Sequence, residues 1–167
     1  MPVVRQIYWK AVIPQIAIIV GCVLVAHQIL PRGWRGNSVL FGALFYWLFC
    51  RIMRSIFTKD HRAGMKAYRA QRFEEAITHF EASCRYFQAH PRLDRWRSLL
   101  FGVSSLNSYQ TMALCNAAFC HAQMGNGQKA TEVYEEALRT NPDCTLAKTS
   151  LAMLRSMGPA ASAPAAS

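Results

Sequence analysis

Acidic residues are absent from the first third of this 167-residue chain. Residues 1–57 contain six basic residues and no aspartate or glutamate, so they carry +6, whereas the rest of the chain carries all nine acidic residues and a net +4. The total of +10 is therefore not gathered on one nucleic-acid-binding face, and we expect no nucleic acid partner. More than half of this charge flanks apolar runs, which is typical of cations at a membrane surface.

The six cysteines lack the spacing of a zinc or redox site, because no Cys-x-x-Cys occurs. We expect reduced thiols that pack as small hydrophobes. A glycine-rich phosphate loop after a strand and histidines at metal-ligand spacing from carboxylates are also missing. The sequence therefore predicts no catalytic residue, no metal, no cofactor and no enzyme. A membrane-bound thiol or redox enzyme that uses Cys115 or Cys120 is the enzymatic alternative.

Two apolar segments fill the N-terminal third. Residues 11–30 carry no formal charge, and a helix of this length spans about 30 Å, the thickness of a hydrocarbon core. No small-x-small cleavage site follows, which favours a retained anchor over a cleaved signal peptide. Residues 31–37 are rich in helix breakers and predict a turn. Residues 38–57 form the second predicted span; a re-entrant or interfacial helix is the alternative, because Arg51 and Arg54 interrupt it.

The flanking cations predict the orientation of this hairpin. One side would carry Arg5, Lys10, Arg51, Arg54 and the basic residues of 59–72, and the other only two arginines of the turn. The positive-inside rule then places both ends and the soluble domain in the cytoplasm. We expect an integral protein of a bacterial inner membrane. The residues predicted to contact the membrane surface are Trp34, Arg51, Arg54 and Trp96.

From Lys59 onward, small and apolar residues recur at threes and fours, without the alternation of strands. Residues 64–83 and 118–137 carry the same plan at an offset of 54. This offset pairs Gly64 with Ala118, Ala76 with Ala130, Phe80 with Tyr134 and Ser83 with Ala137. In the second copy, Gly125 precedes the second helix and Pro142 follows it.

These residues resemble the tetratricopeptide repeat (TPR), a pair of helices of about 34 residues with small residues at the close contacts. In the first copy, Gln71 stands where the family has a turn glycine, and Pro91 comes three residues late. The resemblance covers roughly half of the chain. It implies a short α-solenoid with repeat one at about 58–90 and repeat two at about 108–142.

The offset of 54 implies some 20 inserted residues. We predict one inserted helix at about 92–106, with Asp94 as its N-cap, that packs in the core or alternatively contacts the membrane surface. Its apolar stripe is Leu93, Trp96, Leu99, Leu100 and Val103. A capping helix at 143–157 would cover the last repeat with Leu146, Ala147, Leu151 and Leu154 inward. Residues 159–167 form an Ala/Ser/Pro tail that we expect to be disordered.

The expected fold is thus all-α, with an N-terminal transmembrane hairpin (residues 1–57) and a TPR-like domain (residues 58–158). The resemblance implies that the first helix of each pair lines a groove for a peptide or helix of a protein partner. The candidate groove residues are His61, Met65, Tyr68, Arg69, Met112, Cys115, Asn116, Phe119 and Gln123. Some members clamp a C-terminal carboxylate with lysines and asparagines; only Asn116 matches that pattern.

We therefore expect a membrane-anchored adaptor or scaffold that binds proteins on the cytoplasmic face. The alternative is an accessory or assembly subunit of a larger membrane complex that makes its contacts mainly through the hairpin. Membrane lipid is an expected partner in both cases.

Overall fold

The computed structural model describes residues 9–102 and 107–156, with side chains from residue 12 onward. Within these ranges all of the regular secondary structure is helical, which confirms the all-α prediction. The helices are α1 (Trp9–Ile29), a 3₁₀ helix (Arg32–Asn37), α2 (Ser38–Phe57), α3 (Lys59–Arg69), α4 (Phe73–Ala89), α5 (Pro91–Arg95), α6 (Arg97–Phe101), α7 (Tyr109–Gln123), α8 (Gly127–Thr140) and α9 (Thr145–Ser156). The predicted tail at 159–167 lies outside the described residues.

The helices form two compact units. The first unit comprises Met1–Phe57 with Arg95–Leu106, and the second comprises Thr58–Asp94 with Asn107–Ser167. The inserted segment is therefore divided after Asp94, and its second part belongs to the unit of the N-terminal helices.

In the first unit, α1 and α2 pack against each other as a pair. Both are long and apolar enough to cross a membrane, with windows at Val12–Ile29 and Arg32–Phe57. A signal sequence would satisfy the same criterion of length and composition. The predicted turn at 31–37 is the 3₁₀ helix, which begins after Pro31, whose missing N–H costs no helical hydrogen bond there.

The face that α2 turns inward repeats every four residues. Its buried members are Ser38, Gly42, Tyr46 and Cys50. A Cβ atom added at Gly42 would lie 2.7 Å from both the Cα and the backbone nitrogen of Val23. The two backbones therefore meet at Gly42, where only glycine leaves enough room.

The helix α6 packs against both α1 and α2. The hydroxyl of Tyr46 donates a hydrogen bond to the carbonyl oxygen of Leu99 at 3.2 Å, and the side-chain amide of Gln15 donates to the carbonyl of Ser98. These carbonyls lie in the last turn of a five-residue helix, where no following N–H group of the helix is left to donate to them. The hairpin side chains satisfy them and hold α6 in place.

The prediction of a single inserted helix at 92–106 was wrong. The helix is broken at Trp96 into α5 and α6, and α6 ends at Gly102, whose φ of +62° is left-handed. Asp94 does not cap this segment; its carboxylate accepts hydrogen bonds from the backbone N–H groups of Tyr109 and Gln110, at 2.9 and 3.3 Å. Asp94 is thus committed to the start of α7, together with the N-cap Ser108. Val103 lies outside the described residues.

In the second unit each long helix packs on the next, in the order α3, α4, α7, α8 and α9. The small and aromatic residues of the repeat pattern form its core: Ala76, Phe80, Ala118, Ala130 and Ala137 have no exposed surface, and Tyr134 is only 2% exposed. Small side chains on facing helices allow this close approach.

The two turns inside the helix pairs have equivalent backbones. Gln71 has φ of +58° between α3 and α4, and Gly125, 54 residues later, has φ of +76° between α7 and α8. Gln71 therefore adopts the left-handed conformation for which a glycine was expected.

The helix α9, in the segment predicted as a cap at 143–157, begins at Thr145 and packs against α8. Ala147 and Leu151 are buried and Leu154 packs against the same core. Leu146 was wrongly predicted to face inward, since it is 53% exposed. It precedes Ala147 by one residue, about 100° around the helix, and so points away from α8.

Candidate functional site

Side chains of α3 and α7 are in contact at several points. The rings of His61 and Tyr109 are 5.4 Å apart, and those of Tyr68 and Phe119 are 5.7 Å apart. Between them, the side-chain amide of Asn116 lies 3.6 Å from the sulfur of Met65. Residue numbers rise together along these pairs, so the first helices of the two pairs run in the same direction.

The contacting side chains leave a partly open surface, which we call the α3–α7 face. Met65, Tyr68, Met112 and Asn116 are half-buried, and Phe119 is 38% exposed. Arg69 and Gln123 are exposed. The face consists of Met65, Tyr68, Arg69, Met112, Asn116, Phe119 and Gln123, seven of the nine predicted groove residues.

His61 has a mainly structural position at one end of this face. Its ring lies edge-on to both Phe80 and Tyr109, at 5.6 and 5.4 Å, and Tyr109 stacks in turn on Phe87 at 4.9 Å. The imidazole therefore fills space between the two helix pairs, and only part of it reaches the surface.

Cys115 does not belong to the face. It is 2% exposed, and its sulfur lies 3.8 Å from the sulfur of Cys144 in the core of α7, α8 and α9. Neighbouring residues of a helix point about 100° apart, so Cys115 faces α8 while Asn116 faces α3.

The buried thiols are poorly suited to nucleophilic chemistry. Burial raises the pKa of Cys84 and of Cys120 to about 11, and burial with the adjacent Cys144 raises the pKa of Cys115 as well. A thiol acts as a nucleophile only as the thiolate, which is scarce at neutral pH when the pKa is this high. Among residues 9–102 and 107–156, no group of three or more His, Cys, Asp or Glu side chains is placed to hold a metal ion.

A second depression of about 240 Å³ lies between α4, α7 and α8. Its floor is apolar, with Cys84, Leu114 and Val133, and its rim carries charges of both signs, including Arg85 and Glu136. The periodicity of the sequence gave no signal for it, because its walls come from three helices.

In the first unit, the four residues predicted to contact the membrane surface are all exposed: Trp34 and Trp96 by 56% and 55%, and Arg51 and Arg54 on the last turns of α2. A cavity of about 400 Å³, which we call the hairpin cavity, is lined by both arginines together with Gln15, Ile19, Ala43, Tyr46, Trp47, Cys50, Phe101 and Gly102. Its wall also includes the end of α6, which the sequence analysis did not assign to the hairpin.

Comparison of the chain with protein-family models, with curated protein sequences and with solved structures returned no significant match. The functional argument therefore depends on the geometry of the two units.

Proposed function

We propose that the protein is a membrane-anchored adaptor whose second unit is a short TPR-like solenoid. Three features support the solenoid: the order of packing from α3 to α9, the parallel course of α3 and α7, and the equivalent left-handed turns at Gln71 and Gly125. In such arrays the first helix of each pair lines the binding surface, which here is the α3–α7 face.

The single observation that carries the binding role is the exposed aromatic pair on this face. Tyr68 and Phe119 pack edge-on against each other, yet Phe119 keeps 38% of its surface exposed. Half-buried aromatic side chains held rigidly by neighbours are typical anchors of protein interfaces, because they bring large apolar area at little entropic cost.

The charges near the face define the preferred partner. The helix α7 contains no Asp, Glu, Lys or Arg, whereas α3 presents the exposed Lys66 and Arg69. A peptide or helix with an apolar anchor and neighbouring acidic residues would complement this surface.

The apolar helices α1 and α2 would attach this unit to the membrane. The excess of cations on the side of residues 51–72 favours a cytoplasmic location for both ends and for the second unit, in a bacterial inner membrane. Attachment raises the local concentration of the face near other membrane proteins, so that even a short groove is useful.

Site-specific photocrosslinking in cells tests this proposal. A photoreactive phenylalanine at position 119 should capture one protein partner, and Tyr68→Ala should reduce the capture. The same photoreactive residue at Glu132, an exposed residue of α8, is the control. Equal patterns from positions 119 and 132 would contradict a binding role for the α3–α7 face.

An accessory or assembly subunit of a larger membrane complex is a second candidate. It is favoured by Gly21 of α1, where an added Cβ would meet no atom within 4 Å, so that α1 keeps an open small-residue position for another helix. Truncation separates the two: the adaptor binds its partner through residues 59–158 alone, with 95–106 replaced by a Gly/Ser linker because they belong to the first unit, and the accessory subunit binds through the hairpin alone.

A further inference from the structure

The hairpin cavity changes from apolar to cationic along α2. Its α2 residues share one face of the helix and are Ala43, Tyr46, Trp47, Cys50, Arg51 and Arg54. At 1.5 Å per residue, Ala43 and Arg54 are about 16 Å apart along the helix, close to half of a hydrocarbon core. An acyl chain beside Ala43 and Trp47 would therefore place its headgroup near the arginines.

The opposite walls are supplied by α1 and α6. Gln15 and Ile19 line the cavity from α1, and Phe101 and Gly102 line it at the end of α6. The hydrogen bonds of Gln15 and Tyr46 to the carbonyls of Ser98 and Leu99 hold α6 against the hairpin, and the rings of Phe57 and Phe101 lie 6.1 Å apart. The cavity is therefore preformed, which lowers the entropic cost of binding.

The charged residues of the first unit are all basic. Met1–Phe57 and Arg95–Leu106 contain eight basic residues and not one Asp or Glu. Arg51 is exposed, lines the cavity and has no carboxylate within its own unit to pair with. A phosphate group beside Arg51 would supply the missing charge, and guanidinium groups match phosphate geometry well.

We propose that the hairpin cavity binds one anionic phospholipid, with its phosphate at Arg51 and Arg54 and an acyl chain along Trp47, Ala43 and Ile19. This inference rests on the proposed membrane insertion of the hairpin. A neutral lipid would bring no net negative charge to the exposed guanidinium of Arg51. A second protein helix would bring neither a phosphate group nor a polar end joined to a long apolar chain.

Fluorescence quenching by brominated lipids tests the proposal on the full-length chain. A single-tryptophan protein that retains Trp47 (W9F, W34F and W96F) is placed in phosphatidylcholine vesicles with a minor fraction of phosphatidylglycerol. Two vesicle samples are compared. In one the phosphatidylglycerol is brominated, and in the other an equal mole fraction of the phosphatidylcholine is brominated. Brominated phosphatidylglycerol should quench Trp47 more strongly than brominated phosphatidylcholine.

Arg51→Gln should lower this preference about fivefold, the effect of one basic residue near an anionic surface. Arg32→Gln, which removes the same charge at the other end of the hairpin, should leave it unchanged. Ala43→Leu, which narrows the cavity without changing charge, should also reduce it. Inorganic phosphate should not displace the lipid.

A second single-tryptophan protein that retains Trp34 reports insertion separately. Equal quenching of Trp47 by both lipids, equal effects of the Arg51 and Arg32 variants, or displacement by inorganic phosphate would overturn the lipid site while the anchor stands. Quenching of Trp34 without any quenching of Trp47 would mean that a protein helix fills the cavity. Quenching of neither tryptophan would overturn the anchor and the site together.

Discussion

Gln71 and Gly125 hold equivalent places in the two helix pairs, yet only one of them is a glycine. Both adopt positive φ, at +58° and +76°. A residue with a Cβ in this region is strained, because the Cβ crowds the following carbonyl. The left-handed conformation of the turn between α3 and α4 is therefore imposed by the surrounding structure and not by the preference of Gln71 itself.

Gln71→Gly should stabilise the second unit by about 0.5–1 kcal/mol, since relief of the strain exceeds the added entropy of the unfolded chain. Urea denaturation followed by circular dichroism measures this change. The same substitution at the exposed helical residue Gln88 should destabilise the protein through lost helix propensity. A change of the same sign at both positions would refute the strain at Gln71.

The buried thiols make stability depend on alkaline pH. Burial raises the pKa of Cys120 from its ordinary value of 9.0 to about 11, so the folded state keeps a proton that the unfolded state loses. The contribution is complete below about pH 9 and is lost as pH rises towards about 11.

Cys120→Ala should therefore flatten the fall in the free energy of unfolding between about pH 9 and about pH 11. Burial also raises the pKa of Tyr134 in both proteins, and loss of the Cys120 thiolate would remove one smaller cause of that rise, so the variant flattens the profile through both groups. Parallel pH profiles for the parent and the variant would show that the Cys120 thiol does not titrate as expected.

At the scale of elements, the hairpin depends on one point of backbone contact. Gly42→Ala should destabilise the packing of α1 and α2 by about 1–3 kcal/mol, because the new Cβ would lie 2.7 Å from the Val23 backbone. Thermal unfolding in detergent checks this. Gly21→Ala, whose Cβ would meet nothing within 4 Å, is the matched control and should be neutral. Equal losses in the two variants would mean that helix composition, not contact, sets the stability.

The start of α7 depends on a residue from another part of the chain. Asp94→Ala removes the acceptor of the Tyr109 and Gln110 N–H groups and should cost about 1–3 kcal/mol. Asp143→Ala, at an exposed carboxylate before α9, should change the melting temperature little. A small effect at Asp94 would mean that the Ser108 cap alone secures α7.

Elements with a strong local pattern were predictable, and those built from distant neighbours were not. The spacing of Ala130, Tyr134 and Ala137 predicted α8, and all three side chains are buried there. In the inserted segment, an apolar stripe predicted one helix. The pattern carried no information that Asp94 would bind α7 or that Leu99 would bind Tyr46.

The candidate site shows the same division. Met65, Asn116, Tyr68 and Phe119 were expected on one surface, and the structure brings them into contact in pairs. Cys115 was misplaced because a one-residue difference in helical phase decides between a surface and the core. The repeat resemblance supplied a register for α7 but not its exact rotation.

At the scale of the whole molecule, the two units should be separable. Residues 58–158 with 95–106 replaced by a Gly/Ser linker of equal length should remain helical and monomeric, because α3, α4, α7, α8 and α9 pack on one another in sequence and α6 belongs to the first unit. The same fragment with residues 95–106 retained should self-associate, since α6 would lose the hairpin that covers Leu99 and Phe101. Analytical ultracentrifugation distinguishes the two. Self-association of both fragments would contradict this division of the chain.

The sequence by itself determined the apolar lengths of α1 and α2, the helical period of the second unit and the offset of 54 between its pairs, because each is a property of consecutive residues. Only the tertiary structure decided that α6 joins the hairpin, that Asp94 caps α7, and that arginines and apolar side chains from three helices enclose one cavity. These outcomes depend on contacts between residues up to 83 positions apart, as between Gln15 and Ser98. No local spacing encodes such contacts, since they form only when the side chains of two helices pack against each other.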